Sequence, residues 1–133
     1  MAALDTNILV RFLVEDDTAQ LAAAEKLITK CLRAGDTLYV PVTVSLELEW
    51  VLRASFGFGK AAVVHTLSQL LSSTELAFES EGALEVALTL YTDGNADYSD
   101  CLHVALASGA GERPLWTFDK TAAKLDGARL LAA

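Results

Sequence analysis

Several features that would point to other folds are scarce in this chain of 133 residues. It contains two cysteines, Cys31 and Cys101, which lie far apart in helical patterns, so the sequence predicts neither a disulfide framework nor a close-spaced metal motif. We expect both thiols to be reduced and buried. Two prolines accompany eight glycines, and the sequence has no repeat or low-complexity segment, so we expect no linker or disordered tail.

The chain also lacks a long apolar run and an excess of basic residues. No run approaches the roughly 20 apolar residues that cross a bilayer, and no signal-peptide pattern opens the sequence, so we expect a cytoplasmic protein without a membrane partner. Ten Lys and Arg residues against 18 Asp and Glu give a formal net charge of −8. This charge argues against a simple nucleic-acid-binding module, but much less against a nuclease, whose bound cations reverse the local field.

Hydrophobic residues make up 53% of the chain, and its length fits one domain over residues 1–133. Five short apolar runs alternate with helical patterns, at residues 2–4, 38–40, 76–78, 115–117 and 129–131. This alternation is typical of an α/β fold in which helices cover both faces of a parallel sheet.

Two of the predicted strands end in an aspartate. Asp5 follows the first strand and opens a helical pattern, and Asp119 follows the fourth strand, with a predicted helix over residues 120–125 behind it. Ligands of open parallel sheets lie at the carboxyl ends of the strands. Each aspartate can also be explained as a helix N-cap, but that explanation does not predict further acidic residues in apolar helices.

The predicted third helix, about residues 44–56, contains two glutamates with different surroundings. Glu49 has Arg53 four residues later, an arrangement that predicts an exposed ion pair. Glu47 has apolar residues at the helical spacing of three and four, so it projects from a largely apolar face. A carboxylate there needs a functional reason, or it lies at the edge of the face with its head in water, and the sequence leaves both interpretations open.

The other acidic pair opens a helix that is apolar over most of its length. Asp97 is placed as its N-cap, and Asp100 follows three residues later in the manner of a capping box. Asp100 then enters the interior at a helix N-terminus, where the helix dipole favours its anionic form. His103 can join this site, although we expect a buried imidazole that is hydrogen-bonded to the backbone.

Four acidic residues therefore fall where the fold can bring them together, namely Asp5, Glu47, Asp100 and Asp119. Carboxylates that converge without fixed positive partners are unfavourable unless cations join them. Ligand sets made only of oxygen select hard cations such as Mg²⁺ or Mn²⁺ rather than zinc. The sequence predicts a metal site.

The ordered set of motifs resembles the PIN-domain family and, within it, the VapC-type toxins of toxin–antitoxin pairs. The resemblance covers nearly the whole chain and rests on residues 4–7, 46–52, 97–103 and 117–119. It implies a three-layer α/β/α sandwich with a central parallel sheet of about five strands. The four acidic residues named above match the acidic quartet of the family.

The same resemblance implies that the protein is a metal-dependent endoribonuclease. Asp5, Asp100 and Asp119 would be metal ligands, and Glu47 would be a ligand or would position the attacking water. The residues that support the site would be Thr6, Asn7, Asp97 and Thr117, although Asp97 and Asp100 compete for the closer position. The implied substrate is tRNA or ribosomal RNA, and the implied partners are a small antitoxin and a second copy of the chain.

Two alternatives stay open at this stage. A haloacid-dehalogenase-like phosphatase also has an aspartate after its first strand, but it favours a second aspartate where this chain has Asn7, and no catalytic lysine is evident. A non-catalytic PIN-like interaction domain is the other alternative. The intact acidic quartet argues against it, because a scaffold has no use for converging charges that cost stability.

Overall fold

The computed structural model describes residues 2–133, in which strands and helices alternate as predicted. The strands are β1 (Ala2–Ala3), β2 (Leu38–Val40), β3 (Leu76–Phe78), β4 (Leu115–Thr117) and β5 (Ala128–Leu130). The helices are α1 (Thr6–Val14), α2 (Thr18–Arg33), α3 (Val42–Ala54), α4 (Lys60–Leu71), α5 (Glu81–Asp93) and α6 (Tyr98–Gly109). All five predicted strands are present to within one residue at each end.

The strands are parallel, as predicted, but within residues 2–133 their hydrogen bonds form two sheets. One sheet has the order β1-β2-β3, and the other consists of β4 and β5. The short β1 contributes only two residues to its ladder, which the amide of Leu4 extends by a bond of 2.9 Å to the carbonyl of Tyr39. The chain then turns into α1, so the sheet ends where the candidate site begins.

The core surrounds β2 and the buried faces of the helices. Leu38 and Val40 of β2 are fully buried, as are Leu48 and Leu52 of α3. The last two lie four residues apart, so they share one face of the helix. Helix α3 packs against α1, α4 and α6, and α5 packs against α4 and α6. The acidic residues of α3 and α6 are thereby fixed relative to one another by buried apolar contacts.

Two local predictions are wrong. The predicted helix over residues 120–125 is only a 3₁₀ turn at Ala122–Lys124, because the chain must turn back at once to form β5. Both cysteines are free, but only Cys101 is buried, while Cys31 is half-buried on α2. None of the helices formed by residues 2–133 is both long and apolar enough to cross a membrane.

Candidate active site at the strand ends

The end of β1 brings two predicted site residues to the start of α1. Asp5 is the N-cap of this helix, and its carboxylate accepts a hydrogen bond of 2.7 Å from the amide of Thr6. Asp5 and Asn7 are exposed, whereas Thr6 is buried, with 2% of its surface exposed. The capping interpretation of Asp5 is therefore correct, and its carboxylate still faces solvent at the end of the strand.

Glu47 joins this end of the sheet from α3. The buried hydroxyl of Thr6 donates a hydrogen bond to the Glu47 carboxylate, across 41 residues of sequence. Glu47 itself is exposed. The contact places Glu47 beside the tip of β1, and it gives Thr6 a defined role in orienting this carboxylate.

Glu49 differs from its prediction. Its ion pair with Arg53 is present, with 3.0 Å between Arg53 Nε and Glu49 Oε2, but Glu49 is buried, with only 4% of its surface exposed. The hydroxyl of Tyr91, on α5, donates a second hydrogen bond of 3.1 Å to the same oxygen. The prediction failed because Tyr91 lies 42 residues away in sequence, and the helical spacing within α3 contains no sign of it.

The buried Glu49 changes the chemistry of its neighbour. Burial, together with the negative charge of Glu49 and its hydrogen bond, raises the pKa of Tyr91 to about 12. The Tyr91 ring packs edge-on against Tyr98 of α6, with 5.4 Å between the ring centroids. This polar cluster fixes α3 against α5 and α6 behind the candidate site.

The start of α6 carries Asp97 and Asp100. Asp97 occupies the N-cap position, but its side chain makes no capping hydrogen bond, so the predicted capping box is absent. Asp100 is half-buried, and its pKa is raised by burial and then by the negative charges of Asp119 and Asp97, while His103 acts in the opposite direction. His103 is exposed, so the expected buried imidazole is wrong. The position three residues after Asp100 puts His103 on the same open side of the helix.

Asp119 closes the turn after β4. Its carboxylate accepts hydrogen bonds from the amides of Thr121, at 2.8 Å, and Ala122, at 2.9 Å. The amide of Asp119 donates to the hydroxyl of Thr117, at 3.0 Å. Asp119 is exposed, and at the strand end its carboxylate stabilises the start of the 3₁₀ turn, whose N-cap position is Thr121 rather than Asp119. Thr117 supports the turn that presents it.

The predicted residues thus form two connected groups. Thr6 forms hydrogen bonds with both Asp5 and Glu47. Besides burial, the negative charges of Asp119 and Asp97 raise the pKa of Asp100. In the part of the chain that the structure describes, none of the four predicted carboxylates forms an ion pair with Lys, Arg or His. Their oxygen atoms fit a hard divalent cation. Within residues 2–133, however, no three His, Cys, Asp or Glu side chains lie close enough together to hold a metal ion.

The structure also contains a cavity that the sequence did not indicate. It has a volume of about 410 Å³ and opens between α3 and the start of α6, with Glu47 and Asp97 in its wall. Trp50, Arg53 and the buried Glu49 also line it. From the sequence, Trp50 is only one of the apolar residues at helical spacing from Glu47. Periodicity does not distinguish an indole that faces a cavity from one that faces the core.

Known proteins with similar sequences cover nearly all of this chain. A family model described as PIN domain matches residues 2–128, a range that includes every predicted site residue. A protein of Aquifex aeolicus (strain VF5), named VapC ribonuclease, is 23% identical over 125 residues. These residues make up 94% of this chain and 92% of the relative.

Proposed function

Because the PIN domain model spans residues 2–128, the chain belongs to the PIN-domain family, and we propose that it is a metal-dependent endoribonuclease, the toxin of a type II toxin–antitoxin pair. The observation that carries this proposal is the set of carboxylates at the ends of β1 and β4 and on α3 and α6, none of which forms an ion pair with Lys, Arg or His among residues 2–133. The similarity to a protein named VapC ribonuclease supports it.

The residues divide into holders of the metal and supports. Asp5, Asp100 and Asp119 would hold Mg²⁺ or Mn²⁺, and Glu47 would hold it too or orient the attacking water. The cation, when bound, polarises the phosphodiester and lowers the pKa of a bound water. Thr6 orients the Glu47 carboxylate through its hydroxyl. Such supporting hydrogen bonds commonly change metal affinity or activity by about 10- to 100-fold.

Three further supporting roles follow from position. Thr117 fixes the turn that presents Asp119, through its bond to the Asp119 amide. Asp97 adds negative charge near Asp100, which strengthens the attraction for a cation. Asn7 is exposed beside Asp5, where its amide would contact substrate.

The substrate and partners form the finer part of the proposal. A structured RNA, tRNA or ribosomal RNA, would be cleaved, and a small antitoxin would cover the helices near the site. The active form would be a homodimer. The similarity to a protein named VapC ribonuclease supports this part of the proposal. The net charge of −8 does not, because by itself it disfavours binding to a polyanion.

A non-catalytic interaction domain is the second candidate, and one observation favours it. No three acidic or other metal-binding side chains of residues 2–133 are gathered closely enough to hold an ion. The haloacid-dehalogenase-like alternative is less well supported than before, because the family match is to a PIN domain.

The test is cleavage of total RNA by purified protein free of any partner. Reactions contain Mg²⁺, Mn²⁺ or EDTA, and Asp5→Asn protein is assayed beside the parent. We expect discrete fragments that require the metal and vanish in the variant. Intact RNA in every reaction, from protein shown to be folded by circular dichroism, would favour the interaction domain instead.

A further inference from the structure

The cavity between α3 and the start of α6 adjoins the proposed catalytic residues. Glu47 lines it and also accepts the hydrogen bond from the hydroxyl of Thr6. The volume of about 410 Å³ lies within the roughly 300–1,000 Å³ typical of small-ligand sites. A group bound there would sit next to the position of the reacting phosphate.

Trp50 contributes an aromatic surface to this cavity. Trp50 is 56% exposed, although it lies on a helix whose neighbouring residues Leu48 and Leu52 are fully buried. Exposed aromatic side chains beside an RNA-processing site are the usual platforms on which unpaired bases stack. The structure offers a second exposed tryptophan for comparison, because Trp116 on β4 is 54% exposed and lies outside the cavity.

Arg53 and Asp97 supply polar groups of opposite character. The Nε atom of Arg53 donates a hydrogen bond to the buried carboxylate of Glu49, which fixes the guanidinium. The Arg53 side chain stays half-exposed at the cavity. The carboxylate of Asp97 accepts no capping hydrogen bond from α6. One wall therefore offers N–H donors and another offers acceptors, and this combination matches the edge of a nucleobase.

The carboxylates of Glu47 and Asp97 disfavour a phosphate group in the same cavity, since the charge of Arg53 in its lining is already paired with Glu49. A nucleobase carries no negative charge, and its amino and ring N–H groups are donors to these acceptors. The charge of the cavity therefore selects the base of a nucleotide rather than its phosphate.

From these contacts we infer that the cavity is a nucleobase subsite, in which an unpaired base of the RNA substrate stacks on Trp50 and bonds to Arg53 and Asp97. The inference rests on the proposed ribonuclease function. It makes Trp50 a specificity-determining residue that holds the nucleotide beside the scissile bond.

The first test compares Trp50→Ala, Trp50→Phe and Trp116→Ala proteins in RNA cleavage. Loss of stacking in Trp50→Ala should lower kcat/KM at least about tenfold, mainly through KM, and change the positions of cleavage. Trp50→Phe keeps an aromatic ring and should recover most of the activity. Trp116→Ala should cleave like the parent. Equal kcat/KM and equal cleavage positions in all three variants would overturn the inference.

The second test needs no cleavage. Guanosine 5′-monophosphate has no internucleotide bond, and its base carries both amino and ring N–H donors. It is titrated in Mg²⁺ into Trp116→Phe protein, where Trp50 is the remaining tryptophan, and into Trp50→Phe protein. We expect saturable quenching of fluorescence in the first and only a shallow linear decrease in the second. The same linear decrease in both proteins contradicts a base on Trp50.

The two tests separate the failure of the subsite from the failure of the function. Metal-dependent cleavage that is unchanged by substitution of Trp50 would support the ribonuclease function and contradict the subsite. If no protein cleaves RNA, the fluorescence titration alone decides the cavity. Trp50→Ala protein that cleaves normally but changes its sedimentation would assign the cavity to a protein contact, and this too overturns the inference.

Discussion

At the scale of single residues, Glu47 and Glu49 show how neighbouring acids on one helix acquire different roles. Glu47 is exposed and bonds to the hydroxyl of Thr6 at the strand end. Glu49 is buried and bonds to Arg53 and Tyr91. The first is available to a cation or a water, and the second is committed to the fold.

The two glutamates can be separated by matched amide substitutions. Glu49→Gln should lower the free energy of unfolding by about 1–3 kcal/mol, because a buried charge-assisted bond is weakened. Glu47→Gln should change it by less than about 0.5 kcal/mol, as is usual at exposed positions, while abolishing RNA cleavage. Urea unfolding and the cleavage assay measure both effects. A Glu47→Gln protein as destabilised as Glu49→Gln would contradict this assignment.

Asp119 both stabilises the start of the 3₁₀ turn and is a proposed metal ligand, and two substitutions distinguish these roles. Asp119→Ala removes the acceptor for the amides of Thr121 and Ala122 and should cost about 0.5–2 kcal/mol of stability. Asp119→Asn keeps an acceptor for these two amides but removes the charge, so it should be nearly as stable as the parent and still inactive. Thermal unfolding and RNA cleavage are the measurements. Full activity in Asp119→Asn would contradict metal binding by Asp119 and leave it only the hydrogen bonds of the turn.

At the scale of helices and strands, the sequence predicted the features that depend on residues close together in the chain. The five strands were found because each is an apolar run between breaks, and the start of α1 was found because Asp5 caps it, accepting a bond of 2.7 Å from the amide of Thr6. The division into two sheets and the burial of Glu49 were not predicted. Both depend on neighbours that are distant in sequence, which periodicity cannot report.

The contact between α3 and α5 has a measurable consequence at alkaline pH. The pKa of Tyr91 is raised from 10 to about 12 in the folded protein, by burial and by Glu49. In the unfolded chain this proton leaves near pH 10, so the folded state binds more protons between about pH 10 and 12, and stability falls as pH rises through that window.

Absorbance titration of tyrosinate tests this, with Tyr91→Phe protein as the control. We expect the parent to show one more late-titrating tyrosine, near pH 12, than the variant. Glu49→Gln should lower that late pKa toward its ordinary value. Identical titration curves for the parent and Tyr91→Phe would contradict the buried contact.

At the scale of the whole molecule, the net charge of −8 sets how the protein can meet RNA. The general charge repels a polyanion, so under the proposed function the attraction is local and is supplied by cations at the carboxylates. The sequence indicates the acidic residues of the proposed site, since each stands at a strand end or in an apolar helix, and their role in holding a cation stays a prediction. It did not predict that His103 faces out or that a cavity lies beside Glu47.

This charge predicts that RNA binding depends on divalent ions. Glu47→Gln protein, which should not cleave, is titrated into a fluorescent single-stranded RNA in Mg²⁺ and in EDTA at equal ionic strength. We expect a clear rise in anisotropy in Mg²⁺ and little or none in EDTA, because monovalent ions do not reverse the local field. Equal binding in both buffers would mean that a basic surface, and not the acidic site, holds the RNA.

The most direct test of the central claim is binding of Mn²⁺ followed by electron paramagnetic resonance. The parent is compared with Asp5→Asn, Glu47→Gln, Asp100→Asn and Asp119→Asn proteins, and with Glu49→Gln as the matched control. If these four carboxylates form one metal site, each of the four substitutions weakens Mn²⁺ binding and Glu49→Gln retains it. Binding that is absent from the folded parent, or that survives all four substitutions, would contradict the account.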